Sequence, residues 1–230
     1  MCLDDLDQWA HQQRLEQQEW EESMALIATN KGGSFELAPA GTFVARCYRI
    51  VDLGTQYSDF YKKSSHKIRI YWELPTETMS DGKIFSVSKQ YTLSLHEKAQ
   101  LRQMLEAWRG RKFTDEESAA FDLSRVVGQP CMLNVAHSKK NGQEYNEITS
   151  VMAMPKGMQC PPQVNNAFLF DLSNFDQQSF ESLSDNMKDK IRQSVEYKRM
   201  TGQAAPMMAH ADMPPGEDMP PETDDDIPWG

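Results

Sequence analysis

The stretch His66 to Leu74, HKIRIYWEL, constrains this chain more than any other, because its two faces are chemically different. Side chains on a strand alternate, so Ile68, Ile70, Trp72 and Leu74 share one face and Lys67, Arg69, Tyr71 and Glu73 share the other. The first face is apolar and demands a sheet packed on at least one side. The second carries two cations and a ring. Two readings fit it: a solvated face on a half-buried strand, or part of a groove for single-stranded nucleic acid, which needs positive charge for phosphates and flat π surfaces for bases.

The rest of the chain decides how much weight the groove reading carries. Of 230 residues, 39% are hydrophobic, which allows one domain with a sizeable core plus polar appendages, or two small domains. The net charge of −10 argues at first sight against a polyanionic partner, but it is unevenly placed. It is −5 over residues 1–31, +3 over 32–160 and −8 over 161–230. A mildly basic middle between acidic ends fits a binding domain with an acidic tail better than a uniformly acidic enzyme. Cys2, Cys47, Cys131 and Cys160 are widely spaced with no C-x-x-C pair, and are expected to be reduced thiols in a cytoplasm. No apolar run approaches the ~20 residues needed to cross a bilayer.

Residues 1–31 are expected to form an N-terminal extension, with Leu3, Leu6, Trp9, Trp20 and Met24 only loosely on one helical face. Trp20-Glu21-Glu22 is encoded TGG-GAR-GAR, which can spell a purine-rich ribosome-binding site just upstream of Met24, so translation is expected to start at Met24. The intact mass of protein expressed from its native gene tests this; a product beginning at Met1 contradicts it.

Residues 32–160 read as one domain. A first strand is expected over Thr42 to Leu53, ended by Gly54, then a loop Thr55 to Ser65 (TQYSDFYKKSS) that sets Tyr57, Phe60 and Tyr61 beside Lys62 and Lys63. Three exposed rings in one loop cost free energy unless they meet a partner or fold back on the domain. The second strand is the opening stretch. The turn Pro75 to Gly82 leads into a third, Lys83 to Leu93, where Phe85, Val87, Lys89 and Tyr91 share one side and Ser86, Ser88 and Gln90 the other. Leu101, Met104, Leu105 and Trp108 form a helical stripe stopped by Gly110, with Trp108 read as core. Thr114 and Glu117 form a capping box at the start of a second helix over Thr114 to Phe121. A fourth strand at Pro130 to His137 and a fifth at Glu144 to Met154 flank the turn Lys139-Lys140-Asn141-Gly142.

Three strands, a helix and a two-strand hairpin is the element order of the OB-fold, a five-stranded Greek-key barrel whose strand 2–3 face and loops after strands one and four bind oligonucleotides. The expected fold class is therefore mainly β with helical additions: an OB barrel, a C-terminal helical extension over 161–200, and a disordered linker and acidic tip over 201–230. Pro155 to Asn166 marks the boundary, and Phe175 to Met200 carries too few apolar positions for an independent core. After Thr201 the composition turns to Pro, Met, Gly and acid without periodicity.

The chain ends in ETDDDIPWG, acid followed by apolar residues, the composition of a short linear motif in which carboxylates meet cations on a partner and Trp229 fills a pocket. The tip Asp224, Asp225, Asp226, Ile227, Pro228 and Trp229 resembles the acidic tail of bacterial single-stranded DNA-binding proteins, which ends in aspartates, Ile, Pro and Phe and follows a Pro/Gly-rich linker after an OB domain. The blocks GTFVARCYRIVDLGTQ, YTLSLHEKAQLRQMLEAWRGRKF and FDLSRVVGQPCMLNV are similar to those of a bacteriophage-encoded group of such proteins, over roughly residues 24–200. Trp229 stands where the family has a terminal Phe, and Gly230 moves the free carboxylate away from the ring.

The resemblance implies a non-catalytic protein that coats and protects single-stranded DNA in replication or recombination, recruits replication or recombination proteins through its tail, and works in the cytoplasm of a bacterial host; whether it forms a homo-oligomer stays open. Phosphates are expected to meet Arg46, Lys62, Lys63, Lys67, Arg69, Lys89, Lys139 and Lys140, and bases to stack on rings among Tyr48, Tyr57, Phe60, Tyr61, Tyr71, Tyr91 and Tyr145. Two alternatives stay open: an OB-fold adaptor for protein partners, and an RNA-binding protein. An enzyme is not expected, since His66, His96 and His137 have no paired ligands and no Ser/His, Cys/His or phosphate-binding Gly motif appears. No metal or other cofactor is called for.

Overall fold

Strands form where the alternation of apolar and polar side chains is clearest. The computed structural model describes residues 36–140 and 142–203; the side chain of Lys140, the N-terminal extension with Trp20 and Met24, and the tip Asp224 to Trp229 lie outside the described residues. By contacts the chain divides after Glu36, and the elements described below all belong to the part beginning at Leu37.

That part is mainly β. Strands β1 (Gly41–Ser58), β2 (Lys63–Thr78), β3 (Ile84–Thr92), β4 (Pro130–Lys140) and β5 (Gln143–Met152) form one open sheet in the order β3-β2-β1-β4-β5, each neighbouring pair antiparallel. A short strand β6 (Phe168–Phe170) adds to β1 in parallel, where Arg49 to Val51 have passed beyond the end of β4. β1 therefore serves two neighbours along one edge. Residues 41–46 pair with β4, and residues 49–51 pair with β6. The free edges of β3 and β5 approach each other, and Lys89 Nζ donates to Ile148 O at 3.1 Å across the gap.

The inner face of this sheet is the core. Ile68, Ile70, Trp72 and Leu74 are all buried there, as the alternation predicts, with Ala45, Cys47, Leu133, Val135 and Ile148. Burying a side chain such as Ile70 or Leu74 contributes roughly 1.5–3 kcal/mol. Helix α1 (Gln100–Arg109) closes one end with Leu101, Met104, Leu105 and Trp108; Trp108 Nε1 donates to Pro130 O at 2.8 Å and its ring lies 6.0 Å from that of Trp72. Gly110 ends α1 in the left-handed region at φ +68°, which only glycine adopts without strain. Helix α2 (Asp115–Ala119) has the predicted capping box but is only five residues long, ending two residues short of the expected Phe121, and it buries no side chain.

Residues 161–203 fold onto the outer face of β1 and β2. Where one or two helices were expected over Phe175 to Met200, there are three short ones, α3 (Gln177–Glu181), α4 (Asp185–Gln193) and α5 (Val195–Met200). The breaks fall between Ser182 and Ser184 and at Ser194; Asp176, at the start of α3, and Ser194, at the start of α5, each accept a backbone N–H as an N-cap. Phe170, Leu172, Phe180, Leu183, Met187 and Ile191 pack with Val51 and Leu53 into a second apolar cluster. Too small to stand alone, that cluster exists because β1 offers it an apolar outer face.

Candidate nucleic-acid interface

β1 and β2 run much further than the alternation alone predicts, pairing without interruption from Thr55 opposite His66 to Ser58 opposite Lys63. The aromatic loop is thereby reduced to a hairpin tip, Asp59 to Lys62. Tyr57, Phe60 and Tyr61 stand 59%, 73% and 44% exposed there. Phe60 and Tyr61 meet edge to face at 4.8 Å, so the two rings hold each other out in solvent. Lys62 and Lys63 flank them, both exposed; Lys62 takes a left-handed φ of +50° and lies 3.8 Å from Asp59. The tip combines rings and cations with no apolar cover from the described core.

The outer face of β2 is a different environment. Arg69 is 7% exposed and Glu73 is 0% exposed, both beneath the C-terminal segment. Glu73 accepts from the backbone N–H of Val164 (3.0 Å) and Asn165 (2.8 Å) and from Asn165 Nδ2 (2.8 Å). Its cross-strand partner Arg46 donates to Gly128 O at 2.6 Å and Pro161 O at 2.9 Å. These two side chains fasten residues 161–165 across the sheet. The expected boundary segment, Pro155 to Asn166, thus includes a strap held to the sheet at Pro161, Val164 and Asn165.

Further along that face, a half-buried array joins three strands. Tyr48 and Tyr71 meet edge to face at 6.3 Å, and the Tyr48 hydroxyl lies 2.8 Å from Ser86 Oγ on β3. Arg49 lies over Tyr71 at 5.4 Å and over Phe168 of β6 at 4.6 Å. Lys67 Nζ donates to Thr92 Oγ1 at 2.7 Å. Lys190 of α4 approaches from the docked segment: Gln56 Nε2 bridges Lys190 O (2.9 Å) and Leu53 O (2.6 Å). Burial, and then the nearby Arg69, pull the Lys190 ammonium down to about 8. Burial likewise lowers Arg69 from its ordinary value.

The sequence-predicted residues thus separate into groups. Tyr57, Phe60, Tyr61, Lys62 and Lys63 are brought together at the tip. Tyr48, Lys67 and Tyr71 line the half-buried array, and Arg46 and Arg69 are taken into the strap and its cover. Tyr91 lies in the core at 4% exposure, since the Phe85, Val87, Lys89, Tyr91 side of β3 is the inner one; Lys89 lies on that side and is spent on Ile148 O. Lys139 pairs with Glu144 at 3.0 Å at the β4–β5 turn, and Tyr145 is half-buried opposite Ser138. By register the two hairpin tips leave opposite ends of β1: Gly41 pairs with Val135, and Ser58 with Lys63. Sequence reasoning did not find Arg49, Phe168 or Lys190. Arg49 was signalled only by a cation within an apolar strand, and the other two come from a segment that docks over more than 90 residues of intervening chain.

Among the described residues no group of three His, Cys, Asp or Glu side chains is placed to hold a metal ion, and no helix is long and apolar enough to cross a membrane. In comparisons with known proteins, no family model matches this chain and no curated protein matches it.

Proposed function

We propose that this protein binds and protects single-stranded DNA without sequence specificity during phage DNA replication or recombination. The observation that carries the reading is the β1–β2 tip, where Tyr57, Phe60 and Tyr61 stand in solvent beside the exposed Lys62 and Lys63. A ring that stacks on a base contributes ~1–3 kcal/mol, so two or three working rings outweigh a domain charge of only +3 over residues 32–160. The half-buried Tyr48, Tyr71 and Arg49 extend the path along the sheet's outer face.

An OB-fold is the architecture we propose behind this interface. The strand order β3-β2-β1-β4-β5, the helix between β3 and β4, and the approach of β3 to β5 support it. In this reading the acidic tip 224–229 recruits replication or recombination proteins. Deleting residues 222–230 then leaves DNA binding intact or strengthens it and abolishes partner binding; loss of DNA binding contradicts the tail's role.

A protein-binding adaptor is the second reading, favoured by the strap and helices that cover Arg69 and Glu73 on the face where an oligonucleotide was expected to lie. Titration of the full chain with labelled oligo(dT) and oligo(U) of increasing length, at two salt concentrations, separates the readings. The DNA-binding reading predicts saturable binding to oligo(dT) with log K falling by roughly 0.7 per log salt for each phosphate neutralised. No binding at low salt leaves the adaptor, and a preference for oligo(U) moves the function to RNA.

A further inference from the structure

We propose that His66 is a proton-controlled latch that fastens the C-terminal helical segment to the base of the β1–β2 hairpin. Three elements converge on this one imidazole. β1 brings Asp52, whose Oδ1 lies 2.6 Å from His66 Nε2. α5 brings Glu196, whose Oε1 lies 3.7 Å from Nδ1, and the turn preceding α3 brings Asp171 into the same field. One ring is thus surrounded by three carboxylates, each from a different part of the fold.

The carboxylates are also the clamps that hold the segment in place. Asp52 Oδ1 accepts from Gly54 N at 2.8 Å, and its Oδ2 accepts from Leu172 N at 3.3 Å. Glu196 accepts from Thr55 N at 2.7 Å and from Thr55 Oγ1 at 2.6 Å. The β1 bulge at Asp52 to Gly54 makes this possible, because Gly54 presents no side chain where Ser194, Glu196 and Leu172 press closest. A protonated ring neutralises part of the mutual repulsion of Asp52, Glu196 and Asp171; a neutral ring leaves it uncompensated in a partly buried joint.

The hydrogen bond to Asp52 raises the His66 pKa above its ordinary 6.5, against burial, with Coulomb support from Asp52, Glu196 and Asp171. For Glu196, burial acts upward, and the hydrogen bonds from Thr55, with His66 nearby, more than offset it and hold the carboxyl below its usual value. A base whose folded value is raised stabilises the fold fully below its unfolded value, and that stabilisation is lost as pH rises through the folded value. The latch is therefore tight under mildly acidic conditions and loosens above the folded pKa of His66.

The test is an NMR titration of the histidine side chains of the full chain, with amide exchange measured in parallel at Thr55 and Leu172. The proposal predicts a His66 midpoint above 6.5, lowered in both Asp52→Asn and Glu196→Gln. It also predicts that Thr55 and Leu172 protection factors fall as pH passes the wild-type midpoint, and that this fall is absent in His66→Gln. A midpoint at or below 6.5, protection independent of pH in the wild type, or the same pH dependence in His66→Gln overturns it. Should His66→Gln fail to fold, the midpoint in Glu196→Gln decides: unchanged from the wild type, it refutes the latch.

Discussion

Glu73→Ala is the substitution that most sharply tests how the C-terminal segment is held. The carboxylate is wholly buried and accepts three hydrogen bonds, from the Val164 and Asn165 amides and from Asn165 Nδ2. Bonds to a charged group are worth roughly 1.5–3 kcal/mol each, and a buried donor left without its acceptor costs about 1–3 kcal/mol. Val164 itself is largely exposed, so water reaches part of the vacated strap and the three penalties do not simply add. The expected loss is about 2–4 kcal/mol, a large share of the 5–15 kcal/mol typical of a folded domain. Glu73→Gln keeps the shape and one acceptor but turns an NH2 toward a donor, and should cost about half as much. Urea denaturation followed by tryptophan fluorescence, with Trp72 and Trp108 reporting on the core, gives both numbers. A Glu73→Ala protein within 0.5 kcal/mol of the wild type would refute the claim that this side chain fastens the strap.

Other perturbations follow from the same joints. Gly54→Ala places a methyl 2.6 Å from Ser194 Cβ and 2.8 Å from Leu172 Cδ1 at a φ of +68°, so it should destabilise by ~2 kcal/mol or more in thermal melts while leaving the tip rings exposed. Lys190 is held at about 8 against an unfolded 10.5, so the unfolded chain binds more protons between those values and stability should rise with pH across that window. Lys190→Met should abolish that rise and be more stable than the wild type at pH 7, which denaturation at pH 7 and pH 9.5 checks. Tyr91→Ala should cost ~3–5 kcal/mol of stability as a core deletion, measured by the same denaturation assay.

Local chemistry made much of this fold legible. The alternation in Ile68 to Leu74, the stripe Leu101 to Trp108 and the capping box at Thr114 each act over a few residues, and each is present in the structure. The three rings of the loop are exposed, one of the two outcomes that their crowding beside Lys62 and Lys63 left open. What escaped is non-local. A charged residue alternating along a strand is met either by water or by donors from a distant segment, and nothing within HKIRIYWEL distinguishes the two. Glu73 and Arg69 look alike in the sequence as solvated charges, yet both are buried, and Glu73 is met by backbone donors 91 and 92 positions later. Tyr91 was ambiguous for a simpler reason: both sides of β3 mix polar and apolar residues, so parity alone did not identify its inner face.

The central claim is that the hairpin tip is where unpaired bases are met. Phe60→Ala/Tyr61→Ala is exposed enough to leave stability within about 0.5 kcal/mol. Measured by oligo(dT) titration at low salt, it should weaken binding by ~1–3 kcal/mol for each stacked base lost, with the salt slope unchanged because no cation is removed. A folded double variant that binds oligo(dT) as tightly as the wild type would contradict it.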